Sequence, residues 1–320
     1  MSITRRTLLK GVVVAGAATA VVGDAAAREP KESGQDSVGM LYDPTLCIGC
    51  RACVTKCKES NKLPFDRSAD GIYDAPDDLN STTKNIIKVA QLGGDKWSFM
   101  KRQCMHCVDP ACVSACMMGA LHREGEGTSQ HPGEKKGTGV VLYDKTTCVG
   151  CRYCQIACPF NVPKFEWTKA FPLIVKCELC RHRGDEKKSG PLAIANPACC
   201  EACPREAVIY GKRTELLAIA RKRQAASPEK YEAKIYGEKD GGGTQVLYLA
   251  PKGVTFQQLG LPAIGEESPA HFSEKVSHAP YLHGITPFAL YGGAAALILR
   301  SRKKEAEAAQ HGEGAHGEDK

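Results

Sequence analysis

Sixteen of the 17 cysteines in this 320-residue chain fall into four short motifs. The first and third motifs have the spacing C-x2-C-x2-C-x3-C, the second has C-x2-C-x4-C-x3-C, and the fourth divides into C-x2-C and a later C-x3-C-P. The motifs comprise Cys47, Cys50, Cys53 and Cys57; Cys104, Cys107, Cys112 and Cys116; Cys148, Cys151, Cys154 and Cys158; and Cys177, Cys180, Cys199 and Cys203. Four related spacings indicate an internal repeat, which constrains the fold more than any other feature.

Three kinds of chemistry use closely spaced cysteines: disulfides, zinc sites and iron–sulfur clusters. A structural zinc site closes one tetrahedron with two C-x2-C pairs and leaves the further thiols of such a motif without a role. Disulfide pairing would strand one thiol of each triplet. The run C-x2-C-x2-C-x3-C-P is the ferredoxin spacing, in which three thiolates bind one cubane and the fourth binds its neighbour. The sequence therefore predicts four [4Fe-4S] clusters, with an exported zinc or thiol-redox protein as the alternative of another class.

Residues 1–27 have the composition of an export signal. Arg5 and Arg6 precede a short apolar run, and Ala25–Ala27 provides a small-residue cleavage site. This pattern is typical of a twin-arginine signal peptide, whose route carries proteins that have already folded. We therefore expect export to the periplasm with the cofactors already bound.

A second apolar segment lies near the other end of the chain. Residues 279–299 carry no formal charge, and as a helix they are long enough to cross the hydrocarbon core of a bilayer. Basic residues follow at once, so the positive-inside rule places residues 300–320, a polar tail, in the cytoplasm. We predict a C-terminal transmembrane anchor that holds the protein on the periplasmic side of the inner membrane; a buried core helix is the alternative.

From Leu41 to about Arg213 the chain resembles the four-cluster ferredoxin subunits of membrane-bound molybdopterin oxidoreductases and nickel–iron hydrogenases. The segments RQCMHCVDPACVSAC, CVGCRYCQIACPFNVPKFEW and KCELC…PACCEACPREA carry the resemblance. It implies an α+β fold with two nested ferredoxin-like lobes in residues 28–213. The outer lobe would contain the motifs at 47–57 and 177–203, and the inner lobe those at 104–116 and 148–158.

The resemblance also implies how the thiols are shared. In the outer lobe, one cluster would take Cys47, Cys50, Cys53 and Cys203, and the other Cys177, Cys180, Cys199 and Cys57. In the inner lobe, the sets would be Cys104, Cys107, Cys112 and Cys158, and Cys148, Cys151, Cys154 and Cys116. Two positions depart from the family pattern. Met117 replaces the usual proline, and Cys200 is an additional thiol, expected to be a spare buried one, with exchange for Cys199 as the alternative.

The export signal together with the anchor resembles most the ferredoxin subunit of uptake nickel–iron hydrogenases of the hydrogenase-2 type. This resemblance implies an electron-transfer subunit in anaerobic respiration, without a catalytic centre of its own. Its partners would be the hydrogenase small subunit, with the large nickel–iron subunit, and an integral membrane subunit that reacts with quinone. The equivalent subunit of formate dehydrogenase, polysulfide reductase or dimethyl sulfoxide reductase is the alternative.

The formal net charge of +7 does not indicate nucleic-acid binding. Sixteen thiolates on four cluster cores more than offset it, so the basic residues compensate for cofactor charge. Outside the motifs, strands are predicted in residues 83–103 and 140–144. His122 and His131 are predicted to be solvated loop residues, with a metal site as the alternative.

Residues 214–278 are predicted to form an extension and linker. They contain a helix capped by Thr214, a strand at 244–250 and a linker from Pro251 towards the membrane.

Replacing Arg5 and Arg6 together with lysine should leave the precursor in the cytoplasm, because the twin-arginine route requires the arginine pair. Since the clusters are inserted before export, the retained precursor should still contain iron. Cell fractionation and iron analysis of the purified precursor measure both outcomes. Normal export of the double-lysine variant would contradict the signal assignment.

Overall fold

The structure, a computed structural model, describes residues 29–65, 78–125, 137–183, 196–282 and 291–303. The predicted signal peptide and most of the polar tail lie outside these ranges. Glu29–Ala270 forms one compact unit, and a second unit includes residues 271–282 and 291–303.

Short strands and helices alternate along the chain, which is of the α+β class. The strands are β1 (Val38–Tyr42), β2 (Ile86–Gln91), β3 (Trp97–Arg102), β4 (Leu121–Arg123), β5 (Val141–Tyr143), β6 (Lys164–Phe165), β7 (Ile174–Val175), β8 (Val208–Lys212) and β9 (Val246–Tyr248). The helices are α1 (Ala52–Ser60), α2 (Ala111–Ser114), α3 (Tyr153–Ala157), α4 (Ala198–Glu201), α5 (Arg213–Ala226) and α6 (Pro269–Leu282), with 3-10 turns at Arg181–Arg183 and Asp240–Gly242.

The strand pairings bring the motifs together in two pairs. β1 precedes the first motif and pairs antiparallel with β8, which follows the fourth, while α1 packs on α4. β4 follows the second motif and pairs antiparallel with β5, which precedes the third, while α2 packs on α3. The strand-and-helix unit of the second and third motifs, called the inner unit below, is thus inserted in sequence within that of the first and fourth motifs, the outer unit.

The residues after the last motif complete the outer sheet. β9 pairs in parallel with β1, and the sheet order is β8-β1-β9. On α5, Leu216 and Ala220 lie one turn apart and are buried in a cluster with Leu41 and Leu247. The predicted helix and strand are therefore confirmed. Thr214 lies inside the helix, however, which begins at Arg213, so its assignment as the N-cap was wrong.

The strands predicted for the segments between the cysteine motifs are confirmed. β2 and β3 pair antiparallel within residues 83–103, and β5 lies within 140–144. The prediction for His122 was wrong: it lies in β4 and is 5% exposed. Its position in a strand paired with β5 removes it from solvent. His131 lies outside the described residues.

Residues predicted as a linker are partly built into the main core. Phe256, Leu259 and Leu261 are buried, and the ring of Phe256 lies 5.1 Å from that of Tyr236. The compact unit therefore continues to Ala270, well past the last cysteine.

The predicted anchor is described only in part, because residues 283–290 lie outside the described ranges. Residues 279–282 belong to α6 and residues 291–303 are helical. Among the residues with described positions, no helix is both long and apolar enough to cross a membrane.

Gly39 lies where β1 and the chain entering β9 approach most closely. A Cβ there would lie 1.8 Å from the backbone oxygen of Gln245. Gly39→Ala should lower the free energy of unfolding by about 3 kcal/mol, because two backbones would have to separate. The apparent unfolding temperature of the cluster-loaded chain should fall by roughly 10 °C.

Gly211, directly opposite Gly39 in the ladder, provides the control. A Cβ at Gly211 would meet nothing closer than 3.8 Å. Gly211→Ala should leave the unfolding temperature close to that of the parent protein. Equal effects of the two substitutions would contradict the close approach at Gly39.

Candidate metal centres

The same turn leads into the first and third motifs. Asp43 Oδ1 accepts hydrogen bonds from the N–H and hydroxyl of Thr45, at 3.0 and 2.6 Å. Asp144 Oδ1 accepts the same two bonds from Thr146, at 2.8 and 2.6 Å. In both places the first cysteine of the motif follows two residues later. This side-chain turn sets the direction in which the chain enters each motif.

Two glycines then wrap the backbone around the first sulfur. Gly49 and Gly150 have φ angles of 71° and 69°. Their N–H groups donate to Cys47 Sγ and Cys148 Sγ, each at 3.4 Å. A Cβ at Gly49 would lie 2.4 Å from the ring of Phe99, so both the dihedral angle and the space require glycine. Such N–H···S bonds stabilise the more negative, reduced state of a sulfur-bound cluster.

The second and fourth motifs bend in the same way without glycine. His106 and Leu179 have φ angles of 47° and 50°. The N–H of Leu179 donates to Cys177 Sγ at 3.4 Å, and buried His106 accepts a bond at Nδ1 from the N–H of Val141 at 3.1 Å. Residues other than glycine keep such a positive φ angle only where the surrounding structure compensates for the strain. Neither residue was identified from the sequence.

The first group of thiols combines two distant motifs. Its members line one cavity, together with Lys101: Cys47, Cys50, Cys53 and Cys203. The N–H of Ala207 donates to Cys203 Sγ at 3.2 Å. The pairing of β1 with β8 explains this meeting, because it brings the end of the fourth motif beside the first.

The second group is buried throughout: Cys57, Cys177, Cys180 and Cys199. Burial raises the pKa of Cys177 well above its usual value, and the thiols of Cys199, Cys57 and Cys180 raise it further. Cys57 lies on α1, one turn after Cys53, and groups with thiols of the fourth motif rather than with Cys53.

The third and fourth groups form in the same way in the inner unit. In the third, burial raises the pKa of Cys107, and Cys112, Cys158 and Cys104 add to the shift. In the fourth, burial raises the pKa of Cys154 to about 12, with contributions from the other three members. That fourth group lines one cavity: Cys116, Cys148, Cys151 and Cys154.

Interactions between the groups place them in a row. In the outer unit, the Cys199 thiol adds to the effect of burial in raising the pKa of Cys53, which links the first and second groups. Between the units, burial raises the pKa of Tyr248, and the thiols of Cys177 and Cys104 both contribute. The phenol of Tyr248 is therefore close to a thiol of the second group and to one of the third.

The inner unit completes the row. Burial raises the pKa of Cys112, and the thiol of Cys154 raises it further. Because Cys112 belongs to the third group and Cys154 to the fourth, these two groups are neighbours. Cys50, in the first group, and Cys151, in the fourth, are both exposed. The two groups at the ends of the row therefore reach the protein surface, whereas no thiol of the middle two groups is exposed.

An iron–sulfur core fits these thiols. All 17 cysteines lie within the described residues and are free, and burial raises the pKa of Cys57 to about 11. Without metal, most of these thiols would keep their protons at neutral pH, whereas a bound metal replaces the proton and stabilises the thiolate. Within the described part of the chain, no three His, Cys, Asp or Glu side chains converge as they would around a single ion.

Cys200 lies beside the second group. A hydrogen bond with the Cys200 side chain lowers the pKa of Cys199 to about 6, against the effect of burial. Cys200 also packs against the main core. Its thiol is thus placed to donate a hydrogen bond to the Cys199 sulfur.

Lys101 and Lys176, two of the three buried lysines among the described residues, lie near the thiols and were missed by sequence reasoning. Lys101 is 1% exposed and Lys176 is 3% exposed. Burial alone would lower the pKa of Lys101, but the surrounding thiolates outweigh it and raise that pKa; the strongest contributions come from Cys199, Cys53 and Cys57. The one signal in the sequence is that each lysine stands within three residues before a cysteine motif.

Comparisons with known proteins agree with the site. The family described as a 4Fe-4S dicluster domain matches residues 95–213. The chain is 38% identical to the hydrogenase-2 operon protein HybA of Escherichia coli O157:H7, covering 94% of this chain and 96% of HybA. A protein of Nitratidesulfovibrio vulgaris is 37% identical over 92% of this chain and 76% of its own. The nitrate-inducible formate dehydrogenase iron–sulfur subunit of Escherichia coli K12 is 33% identical over 66% of this chain and 67% of its own.

The fold and the four groups of thiols define a ferredoxin-type protein whose cofactors are four [4Fe-4S] clusters. More particularly, the chain belongs to the family of HybA. It is an iron–sulfur electron-transfer subunit of an oxidoreductase. The predicted family, the four [4Fe-4S] clusters and the electron-transfer function are confirmed.

Proposed function

We propose that the chain receives electrons from a periplasmic nickel–iron hydrogenase dimer and delivers them to an integral membrane subunit that reduces quinone. The observation that carries this proposal is the gathering of sixteen thiols into four groups, in a chain that HybA matches over almost its whole length. When bound, the clusters supply one-electron redox chemistry. The chain's own residues hold, order and insulate them.

The four groups provide the proposed ligand sets. The outer sets are Cys47, Cys50, Cys53 and Cys203, and Cys57, Cys177, Cys180 and Cys199. The inner sets are Cys104, Cys107, Cys112 and Cys158, and Cys116, Cys148, Cys151 and Cys154. In each set, three thiols come from one motif, or from the two halves of the fourth, and one comes from the motif paired with it.

The row of sites suits passage of electrons between two partners. Its ends reach the surface at Cys50 and Cys151, where donor and acceptor proteins can approach. Its middle is closed by the main core, in which Tyr42 and Tyr248 pack edge to face at 5.7 Å. Excluding water there lowers the reorganisation that accompanies each change of charge and strengthens the influence of nearby dipoles.

Two features support attachment to the periplasmic face of the inner membrane. The twin-arginine pattern at residues 1–27 would direct export. Among residues 291–303, which are helical, the apolar side chains Tyr291, Leu297, Ile298 and Leu299 are exposed and basic residues follow. Both fit a C-terminal anchor that crosses the membrane and ends in the cytoplasm.

The hydrogenase assignment rests on coverage as well as identity. HybA matches 94% of the chain, whereas the formate dehydrogenase subunit matches 66%. The additional agreement with HybA extends beyond the region shared with formate dehydrogenase subunits. A formate dehydrogenase subunit is the second candidate, since its iron–sulfur region is also similar.

Hydrogen should reduce the clusters of this chain in membranes prepared anaerobically from its own cells, because the proposed donor is a hydrogenase. The measurement is bleaching of the brown cluster absorbance under hydrogen, followed by reoxidation with a soluble quinone. Membranes lacking the nickel–iron subunit serve as the control and should stay brown. Bleaching by formate but not by hydrogen would favour the second candidate.

Adjacent cysteines test the ligand assignment. Cys199→Ala should lower the iron content below the wild-type value of about sixteen per chain, because it removes a ligand of the second site. Cys200→Ala should leave the iron content unchanged, since it only donates a hydrogen bond. Iron and sulfide analysis of the anaerobically purified full chain measures both. The opposite result would make Cys200 the ligand.

A further inference from the structure

Lys101 carries a positive charge into the protein interior. It lies on β3, pairs with Ile87 in the ladder, and is 1% exposed. Among the described residues, no carboxylate forms an ion pair with it. Its Nζ donates to Asn85 Oδ1 at 2.7 Å, and a neutral amide oxygen does not offset a buried charge.

The negative charge that compensates for Lys101 is that of the cysteine sulfurs around it. Lys101 lines the same cavity as the thiols of the first group. Its partner Asn85 donates from Nδ2 to the backbone oxygen of Cys53 at 3.4 Å and hydrogen-bonds the Cys57 thiol. Cys53 and Cys57 belong to the first and second groups, so the lysine and Asn85 stand between the two outer sites.

The strand holds the lysine in this place. Tyr248 donates its hydroxyl proton to the backbone oxygen of Lys101 at 2.9 Å, which fixes β3 against the outer sheet. A side chain that is fully enclosed has lost its rotamer freedom, so its charge remains at one position relative to both sites.

We propose that Lys101 is a positioning residue for electron transfer: a fixed cation, shared by the two outer [4Fe-4S] sites, that raises the reduction potential of both. The inference rests on the proposed ligand sets. Each cluster gains one negative charge on reduction, and a nearby cation stabilises that state more than the oxidised one. Weak screening in the interior makes the effect large compared with that of a surface lysine.

The effect is confined to the outer pair because Lys101 lines the cavity of the first group, whereas a different lysine, Lys176, lies near the inner thiols. Lys176 is 3% exposed, and its ammonium group donates to the backbone oxygens of Val141 and Cys177. Burial raises the pKa values of Cys104 and Cys112, and the charge of Lys176 opposes that rise. Lys101 and Lys176 therefore lie near different pairs of sites.

The test is a potentiometric titration, followed by paramagnetic resonance, of the cluster-loaded full chain purified anaerobically. In Lys101→Met, two of the four midpoint potentials should fall and two should stay unchanged. Lys101→Arg retains the charge and should keep all four near their original values. Unchanged potentials in Lys101→Met, or an equal fall in all four, would overturn the proposal.

Lys88→Met is the matched control, because it removes a positive charge from the same hairpin at an exposed position. Lys88 is paired with Asp78 at 3.6 Å, and its side chain is 40% exposed. Solvent screens such a charge, so all four potentials should stay unchanged. A fall in two potentials as large as that in Lys101→Met would show that burial is not the cause.

Asn85→Asp tests the same charge in a chain that keeps Lys101, and it decides the question if Lys101→Met does not assemble. The new carboxylate would lie within hydrogen-bond distance of the ammonium group and cancel its field, so the same two potentials should fall. Four unmoved potentials would reject the lysine's role while leaving the proposed function intact. If the unsubstituted chain contained no clusters, the proposed function itself would be rejected.

Discussion

The structure depends on keeping many sulfur atoms close together in an interior that excludes water. Burial and mutual repulsion both oppose ionisation there, as the raised pKa of Cys53, about 12, illustrates. Bound iron removes that cost, so binding of the cofactor and folding of the chain are one process. Backbone N–H groups, such as that of Gly49 towards Cys47, replace part of the hydration that the sulfurs lose.

The C-terminal extension contributes to this enclosure. Arg223 on α5 forms an ion pair with Asp43 at 3.0 Å, and Tyr231 donates its hydroxyl proton to the same carboxylate at 2.9 Å. Asp43 in turn sets the turn that leads into the first motif. Residues well beyond the last cysteine therefore hold the entrance to the first site. This explains why the compact unit extends to Ala270 rather than ending after the fourth motif.

Much of the site could be predicted because thiol spacing reflects the shape of the ligand it holds. The spacing Cys47, Cys50 and Cys53 leaves few alternatives to a cubane. The pairing of Cys203 with these thiols came from resemblance, since spacing within a motif carries no information about a distant strand ladder. The hairpin β2–β3 and the helix α5 were visible as apolar periodicity.

Other features could not be predicted, because they depend on which surfaces meet. The burial of His122 follows from the pairing of β4 with β5, and the loop composition around it indicated solvent. Lys101 looks like any strand lysine until the thiols are placed around it. The burial of Phe256 likewise depends on contacts made far along the chain. In each case local sequence was outweighed by tertiary packing.

The insertion of one strand-and-helix unit within the other sets an order for biosynthesis. As the chain leaves the ribosome, the inner set of thiols is complete once Cys158 has emerged, whereas the outer set waits for Cys203. Cys47, Cys50 and Cys53 are made first and yet find their fourth companion last. During translation these early thiols remain incomplete, so a maturation factor that shields them would have to act until the final motif is made.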